Sequence, residues 1–190
     1  MKRYVFPALS LAAMSSSEAW AHTGHGAATG FVSGFAHSFG GLDHVLAMTA
    51  VGLWAGSLGQ RAIIGLPASF LGAMTLGFWA ALMGSGIPMI EVGIAASVLG
   101  LGLAVLLNLQ PSLILAAGVC GLFGMFHGYA HGAEIAPAVS AIDYGAGFLL
   151  ASALLLGCGL GLQSAVRRVP AMSRIFGGGV ALAGVALFLV

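Results

Sequence analysis

Apolar residues run along the chain in six stretches, about 31–57, 62–83, 90–107, 112–133, 139–162 and 171–190. Each is about the length that an α-helix needs to cross a hydrocarbon core. The breaks between them are short and rich in turn-forming residues: Gly59-Gln60-Arg61, Gly84-Ser85-Gly86-Ile87-Pro88, Asn108-Leu109-Gln110-Pro111, the stretch from Glu134 to Pro137, and Gln163 to Arg174. None holds a further domain. The pattern predicts an all-α polytopic bundle of six transmembrane helices, with residues 22–190 forming a single transmembrane domain.

Composition agrees. Of 190 residues, 59% are hydrophobic and 6% charged, against about 25% charged in an ordinary soluble domain. A water-soluble globule is excluded. No basic face exists to neutralise phosphates, so nucleic acid is excluded as a partner and the lipid bilayer is the expected surrounding. The 31 glycines have no collagen period and read as close helix packing in lipid. Gly157 and Gly161, at Gly-x-x-x-Gly spacing, are expected to pack within the chain, with a homo-oligomer contact as the alternative.

The first 21 residues read differently. Lys2 and Arg3 precede a short apolar stretch, Tyr4 to Met14, and Ala19-Trp20-Ala21 is a small-x-small site. About eleven apolar residues are too few to span. Residues 1–21 are therefore expected to be a cleaved signal peptide. Cleavage makes His22 the mature terminus, on the outer side, where His22 and its free α-amine can chelate a transition metal; a flexible polar lead-in in which His22 and His25 are incidental is the alternative reading.

With an outside terminus, the first, third and fifth spans run inward. Arg61, Arg167, Arg168 and Arg174 then lie on the cytoplasmic side, in accord with the positive-inside rule. The inner bacterial membrane, with a periplasmic mature terminus, is the expected location. Asp43, Glu91, Glu134 and Asp143 fall on the outer side, Glu91 and Asp143 as ordinary interfacial acids. Three spans per half, with histidines on the first helix of each, suit a 3+3 inverted repeat whose site lies at the repeat interface.

Ionisable groups within a span mark function, and here they form two clusters. In Phe126-His127-Gly128-Tyr129-Ala130-His131-Gly132-Ala133-Glu134, the residues His127, His131 and Glu134 stand at i, i+4 and i+7 on one helix face, a spacing that can chelate one ion. Gly128 and Gly132 are expected to remove bulk near the imidazoles. In His37-Ser38-Phe39-Gly40-Gly41-Leu42-Asp43-His44, a straight helix puts His37 and His44 on one face and turns Asp43 about 100° away from His44. A break at Gly40-Gly41 is expected to bring Asp43 inward. Met48 and Cys120 are expected to pack in the core. Imidazoles with carboxylates and almost no thiol argue against copper(I) and toward nickel or cobalt, with zinc compatible; no prosthetic group is expected.

Both clusters carry a resemblance. His37-Ser38-Phe39-Gly40-Gly41-Leu42-Asp43-His44-Val45-Leu46-Ala47-Met48 resembles the His-Pro-x-x-Gly-x-Asp-His signature of the HupE/UreJ family of nickel/cobalt permeases, with Ser38 in place of the Pro. Phe126 to Glu134 resembles its Phe-His-Gly-x-Ala-His-Gly-x-Glu signature. The resemblance spans the whole chain and implies inward transport of Ni²⁺ or Co²⁺, supplying a nickel enzyme such as hydrogenase or urease. The expected ligands are His37, Asp43, His44, His127, His131 and Glu134, with His22 in the arm. No phosphate-binding Gly-x-x-x-x-Gly-Lys-Ser/Thr stretch occurs and the mature chain has no Lys, so ATP hydrolysis by this chain is excluded. An intramembrane zinc hydrolase is the rival reading from another class; against it, no His-Glu-x-x-His stretch is present and Glu134 lies outside the histidine pair. A metal sensor or accessory subunit is the third.

Overall fold

The computed structural model describes residues 27–189; the expected signal peptide, His22 and His25 lie outside the described residues. Seven helices follow one another, with no strand among the described residues: α1 (Ala27–Gly40), α2 (Leu42–Leu58), α3 (Gln60–Leu82), α4 (Ile90–Leu106), α5 (Leu113–Glu134), α6 (Ala141–Val166) and α7 (Pro170–Leu187). Four of them, α3, α5, α6 and α7, are long and apolar enough to cross a membrane; α2 and α4 are apolar but one residue shorter than the shortest of these. Large apolar side chains such as Ile64, Ile114, Ile142 and Leu182 point outward from the bundle, as lipid-facing positions do in a membrane protein.

The first apolar stretch is two helices, not one. Gly41 has extended backbone (φ −94°, ψ 115°) and separates α1 from α2. A Cβ on Gly41 would stand 2.7 Å from the Asp43 carboxylate and 3.0 Å from His44 Nδ1, so those two side chains fold back over a residue that has none. Gly40 faces open space. At the other end of the chain the expected break from Gln163 to Arg174 shrinks to Arg167–Val169. Gln163 is absorbed into α6, packed against Gly56 and accepting a hydrogen bond from Ser173 at 2.8 Å, and Pro170 opens α7, where its missing N–H costs nothing.

Three helix pairs make the bundle. α3 and α5 run in the same direction: Ser69 donates to the Ala117 carbonyl at 2.7 Å, and Phe70, Met74 and Phe78 lie in turn against Gly124, Gly128 and Gly132. A Cβ on Gly128 would come within 1.8 Å of the Met74 carbonyl oxygen. These glycines therefore let α5 seat on the backbone of α3; they do not make room at the imidazoles, contrary to the expectation from sequence. The α1–α2 segment runs parallel to α6, with Phe31 against Gly147 and Gly52 against Gly159. α4 and α7 are antiparallel, Leu99 lying against Gly184 and Gly102 against Ala181. Gly157 and Gly161 have no neighbour within 4 Å, so the expected use of that pair in packing within the chain is wrong; Gly159, on the other face, has that role.

Charge segregates along the bundle. Arg167 and Arg174 share a cavity of about 280 Å³ with Gly56, Ser57 and Asn108. Arg61 lines another with Leu58, Gln110 and Pro111, and Trp54 Nε1 ties the same region to the Leu109 carbonyl at 2.9 Å. At the opposite end Asp43 and Glu91 line a cavity with Phe188, Glu134 meets His37, and Asp143 lies against Gly30. Among the described residues, the arginines thus occupy one end and the carboxylates the other.

Candidate metal centre

α5 and the α1–α2 segment cross with opposite directions, and four histidines fill the crossing. The ring of His131 stands 4.8 Å from that of His37 and 4.3 Å from that of His44, centroid to centroid, and His44 stands 4.5 Å from His127. The four imidazoles form one line, in the order His37, His131, His44, His127. It begins at the surface, where the His37 side chain is 42% exposed and Glu134 56%, and it ends at His127, which is fully buried.

Each α5 residue of the cluster meets a residue of the first segment. Glu134 Oε2 lies 3.0 Å from His37 Nε2. His131, His37 and Glu134 together offer three ligand atoms within 4.8 Å of one another, enough to hold a cation near the mouth. His127 is not part of that triad. The helical spacing i, i+4, i+7 thus shares its members between two places: Glu134 and His131 at the mouth, His127 deeper beside His44.

The break at Gly41 governs Asp43 in a way the sequence did not disclose. Its Oδ1 accepts a hydrogen bond from His44 Nδ1 at 3.0 Å, and the side chain is 22% exposed. Asp43 reaches the line of histidines through His44. Met48 and Cys120 are fully buried in the apolar core.

Three residues of the site carried no signal in the sequence. Ser97 of α4 is fully buried, with its Oγ 2.7 Å from His127 Nε2 and 2.6 Å from the Ile94 carbonyl. Phe70 of α3 packs against His127 (5.7 Å) and Phe148 of α6 against His131 (3.9 Å). A single Ser or Phe within an apolar stretch is indistinguishable from ordinary packing until its neighbour is known.

Polar bookkeeping isolates this region. Among the described residues, the buried side-chain nitrogens and oxygens without a hydrogen-bond partner are His44 Nε2, His127 Nδ1, both ring nitrogens of His131, and Ser38 Oγ. An unpartnered buried polar atom costs about 1–3 kcal/mol. These four nitrogens belong to three imidazoles, each of which has one lone pair when neutral, so three donor atoms lie side by side, walled by Phe70 and Phe148, for a ligand that accepts lone pairs.

The sequence comparisons bear on the same chain. A family model described as HupE / UreJ protein matches residues 9–187. The chain belongs to the HupE/UreJ family. Protein HupE of Rhizobium leguminosarum bv. viciae is 42% identical over 176 residues, covering 91% of each chain. No solved structure matches. Both histidine clusters of this HupE/UreJ chain lie within the matched range, as do Ser97, Phe70 and Phe148.

Proposed function

We propose that this HupE/UreJ protein is a secondary permease that carries Ni²⁺ or Co²⁺ inward across the bacterial inner membrane for a nickel enzyme such as hydrogenase or urease. The observation that carries the reading is the line of four imidazoles, three of them buried with unpartnered nitrogens. Neutral imidazole suits nickel, cobalt and zinc alike, and the family favours the first two.

The ion is captured at the mouth by His37, His131 and Glu134, and passes to His44 and His127, with Asp43 holding His44. His22, the mature terminus after removal of residues 1–21, gathers metal at low concentration. Neighbouring sites 4–5 Å apart bind well enough to strip water and weakly enough to release, since the ion is shared between successive rings rather than enclosed by all of them.

Six crossings support this path, with α1 and α2 forming one broken crossing whose break lies at the site. Discontinuous helices are a recurrent way of building ion sites near a repeat interface. A 3+3 inverted repeat accounts for the pairing of helices. An in-plane two-fold that exchanges the two halves turns the parallel pair α3/α5 into the parallel pair α1–α2/α6 and carries the antiparallel pair α4/α7 onto itself. The carboxylate end faces the periplasm and the arginine end the cytoplasm, following the positive-inside rule.

The membrane potential is a sufficient driving force. A divalent cation moving to the negative side gains about 4.6 kcal/mol per 100 mV, equivalent to an accumulation of about three orders of magnitude. The test is Ni²⁺ uptake into liposomes holding the purified protein, with and without an inside-negative potential, comparing wild type with His127→Ala and His44→Ala. Potential-dependent uptake by wild type and its loss in both variants is expected. Equal uptake by all three proteins would sink the permease.

A further inference from the structure

His127 is fully buried, and among the described residues its one hydrogen-bond partner is Ser97. The position of the ring proton therefore rests on Ser97. A serine hydroxyl has one hydrogen and two lone pairs. The Ser97 hydroxyl donates to the Ile94 carbonyl, one turn back on α4, at 2.6 Å. Toward His127 Nε2, at 2.7 Å, the same oxygen is then left to accept. That arrangement calls for the His127 proton on Nε2 and leaves Nδ1 as the lone pair.

The opposite assignment is worse for a local reason. If Ser97 donated to Nε2, the ring proton would sit on Nδ1, which has no acceptor. Ser97 Oγ and the Ile94 carbonyl oxygen, 2.6 Å apart, would then face each other with no proton between them. A buried lone pair without a partner is what a metal requires. His44 shows the same arrangement with the nitrogens exchanged: Asp43 is a carboxylate and only accepts, so His44 Nδ1 carries the proton and Nε2 is left bare.

We propose that Ser97 is a positioning residue for the metal path. By accepting the Nε2 proton it fixes the tautomer and plane of His127 and presents Nδ1 as the innermost ligand atom, as Asp43 presents Nε2 of His44. The inference rests on the permease reading for its purpose but not for its test. A ligating histidine is ordinarily held by an acceptor on its second nitrogen, and loss of that acceptor weakens metal affinity about 10- to 100-fold. Ser97 comes from α4, so it also ties that helix to a histidine of α5.

The decisive measurement is the tautomer itself. Long-range ¹H–¹⁵N correlation on metal-free, ¹⁵N-histidine-labelled protein at a pH where imidazole is neutral, with His127 assigned by its loss in His127→Gln, is expected to show Nε2–H. A signal for Nδ1–H in the wild type overturns the proposal, whether or not the protein transports. Calorimetric Ni²⁺ binding with three variants gives the second readout. Ser97→Val and Ser97→Thr have the same shape and differ in the hydroxyl. Ser97→Thr is expected to keep near wild-type affinity, while Ser97→Val and Ser97→Ala lose about 10- to 100-fold and shift to a mixture of tautomers. Equal affinity in the Thr and Val variants overturns the proposal. A Ser97-dependent affinity in a protein that moves no Ni²⁺ into liposomes upholds it and removes the permease reading alone.

Discussion

His131 of α5 and His44 of α2 stand with ring centroids 4.3 Å apart and planes inclined by 74°, although 87 residues and three turns separate them in the chain. His131 also touches His37, so this one ring bridges the two helices that Gly41 divides. In the proposed permease, an ion moving between His37 at the surface and His127 in the interior would pass this ring.

Replacing that bridge should stop transport while leaving capture partly intact. For His131→Ala we expect Ni²⁺ uptake into liposomes to fall by at least the ~100-fold that marks the upper range for losing a hydrogen-bond partner of a metal ligand. For His37→Ala, at the exposed mouth, the expected change is a higher half-saturating concentration with a smaller loss of maximal rate. Indistinguishable effects of the two variants would remove the ordering of sites along the line.

Protons and metal compete for the same lone pairs. Each imidazole must be neutral to coordinate. Metal affinity is therefore expected to weaken on acidification, with protons taken up as metal is released. Calorimetry in buffers of different ionisation enthalpy counts those protons. Metal release on acidification with no uptake of protons is incompatible with histidine ligands.

Glycine contacts predict stability separately from function. Gly128→Ala places a Cβ 1.8 Å from the Met74 carbonyl, which forces α3 and α5 apart; a loss of about 1–3 kcal/mol or more is expected, seen as a lower melting temperature in detergent. Gly157→Ala and Gly161→Ala face open space and should melt with the wild type. A change of oligomeric state in these last two, read by light scattering, would show that the open face meets a second copy.

Orientation is open to a direct check. A reporter joined after Arg168, in the α6–α7 turn, is expected to be cytoplasmic, and one inserted after Ala136, in the α5–α6 loop, periplasmic. Both reporters on one side would contradict the odd number of crossings between them.

Much of this protein was legible in the order of its residues because each signal is local. The lengths of the apolar stretches, the histidine pair one turn apart on α5 and the segregation of Arg from Asp and Glu need only the helix period and the bilayer thickness. The break in the first stretch was marked by Gly40-Gly41, though only folding shows that Gly41 is the residue that must lack a side chain. What stayed hidden depends on neighbours distant in the chain. Gly128 and Gly132 sit between the imidazoles in sequence, yet the helix turns them onto α3. Asp43 looked like a ligand and is hydrogen-bonded to His44. Ser97 looked like nothing at all until α4 laid it beside His127. Sequence determined which groups are available within the membrane, since hydrophobicity and cost of burial are properties of each residue. Tertiary structure decided which nitrogen faces which partner, since that is set by how helices distant in the chain pack against one another.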